Sequence, residues 1–170
     1  MSNVTGETAS EVSSYMTAIW NNFDNGSESL EHYADVITAL GASTASSSAE
    51  IAAGLEKFAS IGKTIGLNYD YATSALATIV SATRQSADSV GTGLRTIFSR
   101  LQGLSLGETL EDGVDLNKYS KALKTVGVDV LDATGNMREM DAILEDLADK
   151  WSNLSQAQQT ALAQTVGGVR

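Results

Sequence analysis

Apolar side chains recur every three or four positions through most of this chain, the period of an α-helix with one face turned to a core. Val12, Tyr15, Met16, Ile19, Trp20 and Phe23 mark a first helix from Thr8 to about Phe23, and DNGS at 24–27 turns the chain. Leu30, Tyr33, Ala34, Ile37 and Leu40 mark a second, which Gly41 is expected to stop. The small-residue linker ASTASSSAE (42–50) ends in Ser47-x-x-Glu50, the form of a capping box. Ile51, Leu55, Phe58, Ala59 and Ile65 then define a third helix running to around Gly66. Asn68 fits the N-cap of a fourth, with Ala72, Ala75, Leu76, Ile79 and Val80 on its buried face.

The stretch TRQSADSVGTGLRTIFSRLQGL (83–104) holds two nearby glycines, which raises the question of a phosphate-binding loop. A dinucleotide loop needs G-x-G-x-x-G, and the third position here is Thr96. The Gly-Lys-Ser/Thr of a P-loop is also missing, and no strand leads into the glycines. Val90, Leu94, Ile97, Phe98 and Leu101 instead fall on one face of a helix that contains Gly91 and Gly93. Each glycine costs a helix about 1 kcal/mol relative to alanine, so the pair is expected to serve a close backbone approach or a slight bend.

GLSLGETLEDG (103–113) reads as a polar loop, followed by a short helix from about Asn117 to Val126. Val126, Val128 and Val130 alternate and Thr134-Gly135-Asn136 can turn the chain, which points to a small β-hairpin near 126–138. Met140, Ile143, Leu144, Leu147 and Trp151 form a strongly periodic helix. Ser155 and Gln158 make a second capping box, opening a last helix through about Val166. The fold expected is all-α: six or seven short helices with at most that one hairpin. The absence of proline supports it. Trp20, Phe58, Phe98 and Trp151 are expected to be largely buried packing anchors.

Composition narrows the picture. Ala, Ser and Thr supply 58 of the 170 residues and aromatics only 6%, so the helices can approach closely but bury little area each. No cysteine is present, which removes disulfides, cysteine-based zinc sites and thiol catalysis. The net charge of −10 argues against a specific nucleic-acid binder. That charge is uneven: residues 1–56 carry eight acidic groups and no Lys or Arg, residues 57–105 five basic against two acidic, and residues 106–170 six against eleven. Opposite signs on successive segments can draw helices together or favour head-to-tail association into a homo-oligomer. No stretch approaches the ~20 apolar residues of a membrane span. MSNVTGETASEV lacks the basic start and apolar core of a secretory signal, so no export by the general route is expected.

Candidate chemistry is thin. The sole histidine, His32, sits beside Glu31 and Asp35, and no second histidine exists to build a zinc site. Asp129, Asp132 and Asn136 approach a calcium loop, but Thr134 stands at its third position, where Asp or Asn belongs, and Gly135 comes a step early. Glu108, Glu111 and Asp112 resemble a carboxylate pair without the apolar surroundings that raise a pKa for acid catalysis. Abundant serines lack a recognisable nucleophile motif. Lys57, Lys63, Arg84, Arg95 and Arg100 are the candidates to meet phosphates, without the interleaved aromatics of a nucleic-acid surface. On residues alone the chain reads as helical, acidic and non-catalytic, with no catalytic, cofactor-binding or metal-binding residue assigned and no cofactor required.

The segments SAEIAAGLEKFASIGKTIGL, YATSALATIVSATRQSADSVGTGLRTIFSRLQGL and MDAILEDLADKWSNLSQAQQTALAQTVGGVR, with YMTAIWNNF and NKYSKALKTVGVDVLDATG, resemble the core region of phage tail tape measure proteins of long-tailed phages and prophages of Gram-positive bacteria. The resemblance covers nearly the whole chain, as acidic N-terminal helices (1–41), central basic helices (47–104) and a hairpin with C-terminal helices (114–170). It implies a structural virion protein that lies in the lumen of the tail tube, sets tail length in assembly and aids genome ejection. The partners it implies are tail tube and tail-tip proteins and tail assembly chaperones, the last met in the host cytoplasm during assembly. Family members are far longer, with coiled-coil and apolar segments and in some a peptidoglycan-cleaving domain that these residues lack. The likeness runs on past Arg170, so the chain is expected to be a piece of a longer protein. A small secreted helical adaptor or effector of a Gram-positive secretion system is the alternative; size and acidity suit it, but Trp20 and Trp151 are not followed by the Trp-x-Gly turn. A muralytic enzyme is third.

Overall fold

The computed structural model describes residues 8–24, 26–44, 46–101 and 118–168, and the backbone of 104–105 and 115–116. Its architecture is all-helical. Among the described residues there are eight helices, one more than the upper expectation: α1 (Ala9–Phe23), α2 (Leu30–Ser43), α3 (Ser48–Thr64), α4 (Tyr69–Thr83), α5 (Ala87–Leu101), α6 (Lys118–Thr125), α7 (Met140–Trp151) and α8 (Gln156–Gly167). Two two-residue segments, β1 (Leu104–Ser105) and β2 (Asp115–Leu116), pair antiparallel where a polar loop was expected to begin; residues 106–114 of that loop lie outside the described residues. The chain divides into two compact units, Met1–Arg95 and Thr96–Arg170.

Helix starts follow local chemistry. Ser47 with Glu50 and Ser155 with Gln158 form complete capping boxes, as their spacing indicates, and Thr8 with Glu11 forms a third. Asn68 Oδ1 accepts from the Tyr71 amide at 3.0 Å and caps α4.

The N-terminal unit is organised around α3, which packs against α1, α2 and α4 and therefore buries residues on more than one face. Ile51, Ala52, Leu55, Phe58 and Ala59 are all at most 1% exposed, alongside Ile19, Ile37 and Leu76 from the helices around it. Backbones come close where side chains are missing. Gly41 does not stop α2, which runs on to Ser43; a Cβ there would sit 2.7 Å from the Ser48 amide nitrogen, so its bareness lets the end of α2 meet the start of α3. Gly91 lies against Gly54 of α3, and a Cβ on Gly54 would stand 2.7 Å from the Ala87 carbonyl oxygen. The expected close approach is thus made by Gly91, whereas Gly93 faces open space.

In the C-terminal unit Phe98, Leu101, Leu123, Val128, Val130, Met140, Ile143 and Leu162 are buried, and α6 packs on α8. The expected hairpin contracts to one antiparallel bridge, Leu131 to Met137, closed by the Asp132 amide donating to the Asn136 carbonyl at 2.8 Å. Gly135 takes φ +85° inside that turn. Polar groups bind the remainder: Lys150 Nζ donates to the Gly127 carbonyl at 2.6 Å, and Arg138 donates to the Asp129 carbonyl at 2.8 Å and to Asp146 at 2.7 Å.

Two of the four expected anchors hold. Phe58 and Phe98 are buried, but Trp151 is 37% exposed and Trp20 is only half-buried. Periodicity identifies the inward face of a helix; it does not supply a neighbour to cover the last turn, where Trp151 stands.

Candidate functional site

The residues singled out for chemistry are mostly engaged in holding the fold. His32 Nε2 lies 2.8 Å from Asp70 Oδ1, which ties α2 to α4. That hydrogen bond raises the histidine pKa above its ordinary value. Its sequence neighbours Glu31 and Asp35 are not its bonded partners. Asp132 Oδ1 accepts from the Thr134 amide and hydroxyl at 2.8 and 2.7 Å and from the Asn136 amide at 2.9 Å. Those bonds, the Thr134 hydroxyl foremost, lower its pKa. Asp129 contributes its backbone carbonyl to Arg138. Glu108, Glu111 and Asp112 lie outside the described residues.

Most of the candidate phosphate contacts are likewise engaged. Lys57 pairs with Asp88 at 2.6 Å, and Lys63 donates to the Asn21 carbonyl at 3.1 Å. Arg84 takes φ +60° as the C-cap of α4. Arg100 donates to the Val166 carbonyl at 2.6 Å, where a cation satisfies the last turn of α8 and its dipole. Arg95 stands on the exposed side of α5 and also has an interaction partner. Among the described residues no group of three or more His, Asp and Glu side chains could hold a metal ion. No helix among them is long and apolar enough to cross a membrane.

Two features of the N-terminal unit were not legible from spacing. One is an aromatic cluster: the Tyr33 and Tyr69 rings stand 4.3 Å apart, with Trp20 5.4 Å from Tyr33 and Phe23 5.5 Å from Tyr69. Tyr33 donates to the Phe23 carbonyl at 3.0 Å and Tyr69 to the Tyr33 carbonyl at 2.7 Å, and burial pushes both phenols upward in pKa. The other is an apolar groove of about 460 Å³ between α1 and the start of α2. Val12, Met16, Trp20, Leu30 and Ala34 line it, with the smaller Ala9, Ser13 and Thr17. Leu30, expected on a buried face, is 49% exposed at its edge.

Among the described residues the surface thus offers an apolar place to dock. A family model described as phage-related minor tail protein matches residues 1–168. The chain belongs to that family. It is accordingly a structural component of a phage tail, and so of the virion. No solved structure matches this tail protein. For a tail component, the pertinent features are its packing surfaces, and the apolar groove on α1 and α2 is one of these.

Proposed function

We propose that this tail protein is part of a tape measure: its parent chain lies along the lumen of the tail tube, sets tail length during assembly and aids genome ejection. The observation that carries the reading is the family match over 1–168, joined to the resemblance of the long ordered segments to tape measure cores. Its partners on this reading are the tail tube and tail-tip proteins, and the assembly chaperones that hold it in the host cytoplasm. It performs no catalysis and needs no cofactor or metal.

A helix rises ~1.5 Å per residue, so a region of this size drawn out as helix would span roughly 250 Å. A single compact domain of this size would have a radius of gyration of only ~15 Å. Two compact units with capped, short helices support the folded alternative, in which the region contributes to assembly or ejection and little to length. In-frame removal of residues 1–170 from the phage gene, followed by electron microscopy and infectivity assays, tests this. The expected outcome is failed assembly or ejection, with any surviving tails near normal length. Tails shortened by roughly 250 Å would show the region to be extended. Normal-length, fully infectious virions would remove both roles.

A further inference from the structure

We propose that the groove between α1 and α2 receives an amphipathic, basic α-helix from a partner protein. The groove is long enough. From Ala9 to Trp20 its α1 wall covers about 17 Å of helix, three turns, at ~1.5 Å per residue. Val12, Met16 and Trp20 recur at four-residue spacing along that wall, so the side chains form a ridge of the kind a third helix packs beside. Leu30 and Ala34 form the facing wall, and the largely exposed Leu30 leaves apolar surface for an incoming side chain to cover.

Charge selects the occupant. Glu31 and Asp35 each follow a groove residue by one position, are exposed, and stand one turn apart along the rim of α2. No ion pair among the described residues involves either. Residues 1–56 contain no Lys or Arg to offset them. A second copy of this chain docking through the same face would bring two such carboxylate pairs together, which disfavours it. The described helices of this chain do not supply the occupant either: α6 carries Lys118, Lys121 and Lys124, but its Leu123 is buried. A helix with an apolar stripe and Lys or Arg along one flank satisfies both the groove and its rim. The inference stands on the groove and its charges and not on the tape measure reading, so either can fail alone.

The test uses the full chain carrying Trp151→Phe, which leaves Trp20 as the single tryptophan reporter within the groove. The probe is a synthetic amphipathic peptide with a Leu/Ala stripe flanked by lysines, compared with a scrambled version and a version with glutamate for lysine. The basic helix should shift Trp20 emission to the blue, saturably and one to one. Leu30→Lys, a change at an exposed site, should weaken binding at least tenfold with the circular dichroism spectrum unchanged. The double change Glu31→Lys, Asp35→Lys should do the same and should transfer binding to the glutamate peptide. Equal binding of the scrambled or glutamate peptide to the unaltered groove, or no binding of any, would overturn the proposal. So would dimerisation abolished by Leu30→Lys, which would make a second copy the occupant. A Trp20 shift on phosphatidylcholine vesicles in place of the peptide would assign the groove to lipid.

Discussion

The two units of this tail protein are held by different means. In the N-terminal unit α3 runs among three other helices, and glycines let backbones meet: Gly54 of α3 against α5, and Gly41 of α2 against Ser48 of α3. In the C-terminal unit the last helix, α8, buries only Leu162, and three cations bond to backbone carbonyls: Arg100 to Val166, Lys150 to Gly127, Arg138 to Asp129. An Ala/Ser/Thr-rich chain can reach a folded state by either route. Close backbone packing tolerates little change in volume, while a charged staple tolerates shape changes and responds to salt and pH.

The largest expected effect is at Phe58, fully buried on α3. Phe58→Ala should cost about 3–5 kcal/mol by urea denaturation, since it leaves a cavity among helices that cannot all close on it. A loss under 1 kcal/mol would mean that α3 is not the organising element. Next come the paired glycines of α5. Gly91→Ala places a Cβ against the backbone of Gly54, and the expected cost is about 1–3 kcal/mol. Gly93→Ala, two residues on and facing open space, should instead stabilise by about 0.5–1 kcal/mol. Thermal melts showing the same sign for both would refute the close crossing.

In the other unit, Arg100→Met keeps much of the side-chain stem but removes the donor to Val166. A loss of about 0.3–1 kcal/mol is expected, and smaller in high salt, when melting is followed at α8. The smallest effects are in pH. His32 has a folded pKa raised by its Asp70 hydrogen bond, so its contribution is complete below the ordinary value of 6.5 and is lost as pH rises through the folded value. Asp146 is lowered by its hydrogen bond from Arg138. Its contribution is present above the ordinary carboxylate range and is lost as pH falls through the lowered value. A chemical-shift titration of the His32 ring, with Asp70→Asn as control, should show the raised value fall back; an unchanged midpoint would remove Asp70 as its cause.

How much of this was legible depended on whether the cause was local. The capping pairs Ser47/Glu50 and Ser155/Gln158 could be read off because donor and acceptor lie three residues apart, and Thr8/Glu11 carries the same pattern and was open to the same reading. Helix faces were legible for the same reason. Gly41 misled because a glycine after a periodic run resembles a helix stop, whereas its role is set by Ser48 on the next helix. The His32 partner is 38 positions away and the Tyr69 partner 36, distances that no local pattern encodes. The groove was invisible for a related reason. Val12, Met16 and Trp20 have the spacing of a buried face, and spacing cannot say that this face borders a groove shared with Leu30 and Ala34 of the next helix.

Native-state hydrogen exchange on the intact chain, resolved by helix, tests the contrast between the two units most directly. Amides of α3 around Ile51–Ala59 should exchange slowest of all, and those of α8 markedly faster, with Arg100→Met speeding α8 while leaving α3 unchanged. Protection of α8 equal to or greater than that of α3, or rapid exchange throughout α3, would contradict the account.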